Sequence, residues 1–588
     1  MPRGPIRPLK GTLPTRHGTP LHEIPGLRSS AHPSDVQGLA APRWRRLALA
    51  LTVVPLLSAC KSAAAHAESA DAEVYEILEA RRLELEADLG SVDITPPADS
   101  LRLRLLTEGI EAEAVVLDLV SAIEVAAENS REYRSRKERL YLAALDLTLE
   151  RFRFKVQEVG TLGALVTGTG GEADDLLIDG NLGLSKLLGT GARIVGDIGL
   201  SMFRVLSTGD SLDAVSVLGL SITQPLLAGF GERIVKEPLT QAERNVVYEV
   251  RAFERYRRTF SYDVITRYLS LVRAADSIRN QRVNFERLQE LRRRNEAWGE
   301  AGRLSMVEVD QARQDEVDSR DALLQAEQNF AAQLDDFKFF LGLPPQADIQ
   351  ITPDALTRLY EAEPTELPFD DADLLADFAL QWRLDHQTVL DQVDDAERKV
   401  VVAADALRNV LDLSAGAEVN SAEGDVFDID PSDTRWFVGL DVDLALNNRL
   451  PQRNAYRRTL ITLQANQRNA EQSADSIRLD LRDALREAER TLQSWILQKG
   501  QVALNERREE NTRLELEAGR AETRDILDST RSLLAAKNSA TSALVDQYLA
   551  VLALWRDLEI LRIGPDGPYA DPEMLAALQA APEETPQP

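Results

Sequence analysis

Two stretches of this chain are too long and too free of helix breakers to belong to an ordinary compact domain. From about Gly231 to Trp298 there is no Gly or Pro after Pro238, and a second run spans about 453–517. At 1.5 Å per residue the first reaches about 100 Å. A helix of that length implies a coiled coil or a tall bundle. Each run stops at a tight break, Trp298-Gly299-Glu300-Ala301-Gly302 and Ala518-Gly519, and a second helical run follows, to about Leu341 and about Leu561. Composition supports solvated helices: charged residues are 28% and aromatics 5%, a mixture that suits long helices better than a dense core.

The same composition removes several functional classes. The formal net charge is −28, whereas a nucleic-acid footprint needs a basic stripe. Cys60 is the one cysteine, which excludes a disulfide framework and a Cys-rich zinc site. Of five histidines, His17, His22, His32 and His66 lie in the first 66 residues, leaving His386 in a polar helical stretch, read as exposed. The glycines near 160–191 are followed by no Gly-Lys-Ser/Thr and match no phosphate loop. No catalytic constellation stands out and no cofactor is implied.

The N-terminus reads as an export address. Arg43, Arg45 and Arg46 precede an apolar run, Leu47 to Leu57, of eleven residues. That is short of the roughly 20 residues a spanning helix takes. The run ends in Leu57-Ser58-Ala59-Cys60, which resembles a bacterial lipoprotein signal with Cys60 as the acylated residue; an ordinary secretory signal is the plainer reading. Residues 1–42 are rich in Pro, Gly and Arg and carry no such pattern. No later segment has the apolar length of a spanning helix, so a membrane crossing by the mature chain requires a closed barrel.

Between helical runs the hydrophobic period changes to two. Phe152, Phe154 and Val156 alternate with Arg151, Arg153, Lys155 and Gln157; Leu182 and Leu184 with Gly183 and Ser185; Ile194, Gly196, Ile198, Leu200 and Met202 with Val195, Asp197, Gly199, Ser201 and Phe203; Leu218, Leu220 and Ile222 with Gly219, Ser221 and Thr223. Such alternation fits a barrel strand and equally any half-buried antiparallel sheet. The pattern then recurs: helix about 370–412, strand-like Ala415, Ala417 and Val419, then Phe437 to Leu446, a long helix and a shorter one. Gly219-Leu220-Ser221-Ile222-Thr223 corresponds to Gly439-Leu440-Asp441-Val442-Asp443, and Glu300-Ala301-Gly302-Arg303 to Glu517-Ala518-Gly519-Arg520. Two copies of helix, strands, long helix, break and helix predict an internal two-fold duplication.

Three stretches carry a family resemblance over about residues 110–562: Ala126-Ala127-Glu128-Asn129-Ser130-Arg131-Glu132-Tyr133, Ser221-Ile222-Thr223-Gln224-Pro225-Leu226-Leu227-Ala228-Gly229-Phe230-Gly231, and Ala518-Gly519 followed by Asp525-Ile526-Leu527-Asp528-Ser529. With the lipoprotein-type signal, they resemble the TolC family of outer-membrane efflux factors. The resemblance implies a mainly α fold with a small β part. Long antiparallel helical hairpins would form a periplasmic α-barrel, and about four strands per protomer would enter a shared β-barrel of a homotrimer in the outer membrane lipid. It implies a passive conduit, coupled through a periplasmic adaptor (membrane fusion protein) to an inner-membrane transporter. The chain then divides into a leader and signal, 1–59; an N-terminal periplasmic segment, 60–109; a first repeat, 110–343, with strands in 151–226, a long helix 231–298 and a helix 303–342; an irregular equatorial linker, 344–369; a second repeat, 370–562, with strands in 413–446, a long helix 453–517 and a helix 521–561; and a tail, 563–588, that joins the linker in a belt. One departure is visible: strand-like runs near 151–157, 182–188, 192–205 and 214–226 exceed two, which predicts an inserted hairpin or an elongated loop.

The resemblance also directs attention to the breaks. Asp525 and Asp528, three apart on one helix face, would put six carboxylates at the mouth of a trimer and form a cation-attracting constriction; Glu308 sits similarly after Gly302 and would add charge. A solvated acidic face is the plain reading. Arg520 and Arg524 are candidates for contacts that hold the mouth closed, although Ala521 stands where family members place a basic residue. Ala301, Gly302, Arg303 and Ala518, Gly519, Arg520 are the tips that would face the adaptor, and glycine there also has a structural reason, the left-handed helix C-cap. Pro225 and Pro451 mark strand-to-helix changes. Trp298 and Trp495 read as packing residues, and Trp436 and Phe437 as members of an interfacial girdle. The rival readings are a periplasmic coiled-coil scaffold lipoprotein without a pore, and a channel dedicated to type I protein secretion or metal export.

Overall fold

The computed structural model describes residues 62–580 except 86–89, 96, 98, 108–113, 171, 206–212, 353, 363, 365–368, 370, 423–424 and 445–448. Cys60 and the export signal lie outside the described residues. Glu68–Pro588 forms one compact unit.

After α1 (Ala63–Glu84) and α2 (Leu101–Thr107), a first half runs β1 (Val115–Leu117), α3 (Leu119–Asn129), α4 (Arg131–Phe152), β2 (Gln157–Thr169), β3 (Glu172–Leu187), β4 (Arg193–Val205), β5 (Asp213–Pro225), α5 (Glu237–Glu300) and α6 (Met306–Phe340). A second half runs β6 (Ile349–Ile351), α7 (Asp354–Glu361), α8 (Ala372–Trp382), α9 (Leu384–Asp405), β7 (Val410–Asn420), β8 (Arg435–Asp443), α10 (Leu450–Glu517) and α11 (Thr523–Asp557). The chain closes with β9 (Leu561–Gly564), β10 (Gly567–Ala570) and α12 (Pro572–Ala580). Corresponding helices match in length: α3 and α8 have 11 residues, α4 and α9 have 22, α6 and α11 have 35. Equal lengths set the breaks of the two halves at matching positions along their hairpins.

The helix that opens the first half is divided. It begins as strand β1, and Ser130 steps out of helical geometry at φ −65°, ψ 129°. The second half repeats the step at Arg383, φ −66°, ψ 119°, so the helix expected over 370–412 is also divided and gives way to strand at Val410. The step is locally supported: Asn129 Oδ1 accepts from Arg102 N at 3.1 Å, and its amide donates to Val125 O. It also receives the end of α6. A Cβ at Gly342 would lie 2.1 Å from Asn129 O, and Gly342 has φ +79°, so only glycine fits.

The core lies where these elements converge. Val246, Val250, Phe253, Phe260, Val264, Ile265 and Tyr268 of α5 recur at helical spacing and meet Tyr133, Leu140 and Ala144 of α4 and Leu544, Val545 and Leu552 of α11. Seven apolar residues at i, i+4 and i+7 intervals over about six turns supply the one buried stripe such a helix needs. β1 and β6 pair in parallel beside it, and Tyr268 Oη donates to Leu117 O at 3.2 Å. The linker and tail are therefore more regular than expected, with α7, the β9–β10 hairpin and α12 in place of irregular chain.

The largest difference from expectation is the sheet. It has six strands in the order β2-β3-β4-β5-β7-β8, each pair of neighbours antiparallel, where about four were expected. The apparent strand at 151–157 is the end of α4 and a turn; strand begins at Gln157. The glycine-rich stretch after it is strand as well.

Candidate functional site: the sheet and the helical mouth

The pleat sorts the sheet residues into two unlike faces. One row reads Gly160, Leu182, Ile198, Leu218 and Val419 across five strands, and the next Leu184, Gly196, Leu220, Ala417 and Trp436. These faces are exposed: Leu162 by 76%, Leu220 by 60%, Val438 by 65%. The opposite face carries Asp179, Asn181, Asp197, Ser221, Asp412, Ser414, Glu418 and Asp441. A Cβ at Gly163 would lie 2.7 Å from Asp179 Oδ1, and one at Gly219 2.7 Å from Asp197 Oδ1. Those glycines therefore leave room for the carboxylates on the polar face.

The strands have 13, 16, 13, 13, 11 and 9 residues, and about 9–11 tilted residues span a bilayer. Among the described residues no helix is long and apolar enough to cross a membrane. Strand length and the apolar face match what a barrel strand presents to lipid.

All helical connections leave one end of the sheet. Leu226 N donates to Leu411 O at 2.7 Å and Gly229 N to Asp405 Oδ2 at 2.7 Å, joining the strand-to-helix passages of the two halves. The β3–β4 turn lies at the same end: Gly231 N donates to Thr190 O at 3.1 Å. Pro225 ends β5, and Pro451 stands in the first turn of α10. Directly past this end, Asp395 of α9 accepts from Tyr248 Oη at 2.7 Å, Gln241 Nε2 at 2.9 Å and Arg244 at 2.9 Å, and pairs with Arg398. Burial opposes ionisation of Asp395, but the hydrogen bonds from Tyr248 and Gln241 and the Arg398 charge outweigh it and hold the carboxyl below its ordinary range. Burial, with Asp395 as acceptor, pushes the Tyr248 phenol up to about 12.

At the far end of the helices, the two breaks are built alike. Gly302 N donates to Gly299 O and Arg303 N to Trp298 O; Gly519 N donates to Leu516 O and Arg520 N to Glu515 O. Gly302 has φ +65° and Gly519 +70°. Each pair of bonds closes a helix through a left-handed glycine. A capping box then opens the next helix, Ser305 with Glu308 and Glu522 with Asp525. Glu308 and Asp525 thus occupy equivalent cap positions. Asp525 and Asp528 are both exposed, and Asp528 lies 3.6 Å from Arg531 and 4.0 Å from Arg524. Arg524 thus pairs within its own helix, and among the described residues Arg520 has no ion-pair partner. All six tip positions are exposed.

Contacts between the two hairpins involve residues the sequence reading did not select. Arg531 of α11 pairs with Asp315 of α6. Asn295 Nδ2 donates to Thr523 Oγ1 at 3.0 Å, both side chains fully buried. Asn280–Asn538 and Asp276–Thr541 extend this polar seam along antiparallel α5 and α11. Leu288, Leu291, Leu516, Ile526 and Leu527 pack beside it, with Trp298 at their margin under Arg294. The nearly constant sum of paired residue numbers is a signal of the seam, but it appears only once the helices are known to be neighbours. Trp495 is buried as expected, and Trp436 and Phe437 are exposed at the start of β8. His386, read as exposed, is buried, and its Nδ1 lies 3.0 Å from Ser473 Oγ; burial lowers its pKa.

Comparison with solved structures agrees with this architecture. The structure of CusC superposes with a TM-score of 0.55 at 16% identity, covering 75% of this chain and 91% of that one. The outer-membrane channel OprN gives 0.54 at 17%, covering 80% and 96%, and the Campylobacter jejuni CmeC outer membrane channel 0.55 at 14%, covering 75% and 85%. The chain has the TolC-type channel fold. No family model matches the sequence, and neither does any curated protein. The TolC-type fold accounts for the paired hairpins and for strands placed at one end of them, and the second strand hairpin of the first half is the insertion expected from its surplus strand-like runs.

Proposed function

We propose that this chain is the outer-membrane exit channel of a tripartite efflux or secretion system, a passive homotrimeric conduit. The observation that carries the reading is the continuous exposed apolar face across strands of membrane length, with a polar, acidic face behind it. A pore-less scaffold has no use for such a face. Cys60 is the residue to carry the lipid anchor. The tips Ala301, Gly302, Arg303 and Ala518, Gly519, Arg520 face a periplasmic adaptor that links the conduit to an inner-membrane transporter, where energy enters. Asp525, Asp528 and Glu308 line the constriction, and Arg531 rather than Arg520 is the cation that braces it.

The test is single-channel recording on detergent-extracted protein after its mass is measured by light scattering. A trimer with discrete, cation-selective steps is expected. A monomer that extracts without detergent and does not conduct would leave the scaffold reading in its place. Lipidation is checked separately by intact mass, with Cys60→Ser losing the acyl chains.

A further inference from the structure

Among the described residues the two edges of the sheet, β2 and β8, have no partner strand. In lipid an unpaired edge leaves its N–H and C=O groups unsatisfied, and only closure removes it. Six strands are too few to close alone, since outer-membrane barrels begin at about eight. Strand direction alternates without exception across the sheet. β2 therefore runs away from the helical end and β8 toward it, so β8 of one copy beside β2 of another continues the antiparallel ladder.

The additional hairpin is part of this wall rather than an appendage. β3 pairs with β4 continuously from Asp175 to Leu187. On β2, Leu162 and Val166 extend the apolar face and Thr161 the polar one. The β3–β4 turn is anchored at the helical end, with Gly191 at φ +93° and a Cβ there 2.7 Å from Gly229 O.

We propose that the occupant of each open edge is a second copy of this chain, so that three copies of the six-stranded sheet close an eighteen-stranded barrel through β2–β8 contacts. The number of copies rests on the conduit reading above; the strands that meet do not. With strands about 4.8 Å apart and tilted about 40°, the backbone diameter is about 36 Å, against about 24 Å for four strands per copy. Barrels of about 16–18 strands enclose an aqueous channel. The size limit on cargo then lies at the helical mouth and not in the outer membrane.

Disulfide trapping in native outer membranes tests this with the full chain. Thr161→Cys, Gly163→Cys or Leu165→Cys on β2 is combined with Phe437→Cys, Gly439→Cys or Asp441→Cys on β8, all on the polar face. Asp179→Cys with Ser201→Cys, facing partners on β3 and β4, should link within the chain and reports correct folding. The expected result is covalent dimers and trimers from at least one β2–β8 combination, absent from either single variant. Linking of Ser201→Cys to Gly439→Cys between copies, with every β2–β8 combination silent, would overturn the proposal in favour of a twelve-stranded wall and leave the conduit reading intact. A conducting trimer with no β2–β8 link also overturns it. A non-conducting monomer that links only within the chain would remove the conduit reading itself.

Discussion

Glu559 occupies the left-handed position after α11 that Gly342 occupies after α6. Its φ is +63°, and the same pair of bonds closes the helix, Glu559 N to Arg556 O and Ile560 N to Trp555 O. A non-glycine residue there costs about 1–2 kcal/mol. The compensation is electrostatic: the carboxylate is 3% exposed and pairs with Arg255 and, at 2.6 Å, Arg258. Removing one partner of a buried pair costs about 3–5 kcal/mol, so Glu559→Gly, which also relieves the strain, should destabilise by roughly 2 kcal/mol. Glu559→Gln keeps the strain and loses the charge, and should fall further; chemical denaturation in detergent compares the two. At the mouth, Asp525 belongs to a capping box, so its removal mixes a cap loss of about 1 kcal/mol with any charge effect. Asp528→Asn alone is the cleaner probe. It should weaken block by divalent cations in bilayer recordings; unchanged block would remove Asp528 from the constriction.

At the scale of elements, Asp395 joins α9 to α5 between the two halves, just past the sheet. Its folded-state pKa lies below the unfolded value of about 3.9. The stabilisation is therefore fully present above that value and is lost as pH falls through the lower folded one. Asp395→Asn should lower Tm at neutral pH, and the gap to wild type should close progressively below about pH 4; a gap independent of pH would show that the network acts through packing alone. The helices that carry such contacts were legible in the sequence because their apolar stripe recurs over many turns and their breaks hold glycine. The steps at Ser130 and Arg383 were not, since neither residue is a helix breaker; at Ser130 the α6 turn seated on Asn129 is a tertiary contact. Strand β2 and the first part of β3 were hidden by Gly160, Gly163, Gly168 and Gly180, which occupy pleat positions where an apolar or polar side chain would have shown the period of two. Conversely, Phe152, Phe154 and Val156 alternate but belong to a helix end and its turn. Of the mouth, the caps and acidic positions could be read locally; Asn295–Thr523 and Arg531–Asp315 could not, because each joins residues more than 200 apart.

For the whole molecule, the two hairpins meet along α5 and α11 through a polar seam as well as through apolar packing. Each such hydrogen bond contributes about 1 kcal/mol. Asn295→Ala with Thr523→Ala removes the seam's most buried contact near the mouth. In the conduit it should raise the open fraction in bilayer recordings without changing trimer mass; no change in open fraction would exclude the seam from gating.

The extra hairpin begins and ends at the helical end of the sheet. An insertion that must return the chain to the side it left can only add strands in twos, since an odd number would deliver the following helix to the wrong end of the sheet. In an assembly of three, the wall then grows by six strands at a step. Pore width in the proposed conduit is accordingly a discrete quantity, with no intermediate sizes for selection to refine, while a mouth lined by side chains at the helix breaks is adjusted by single substitutions.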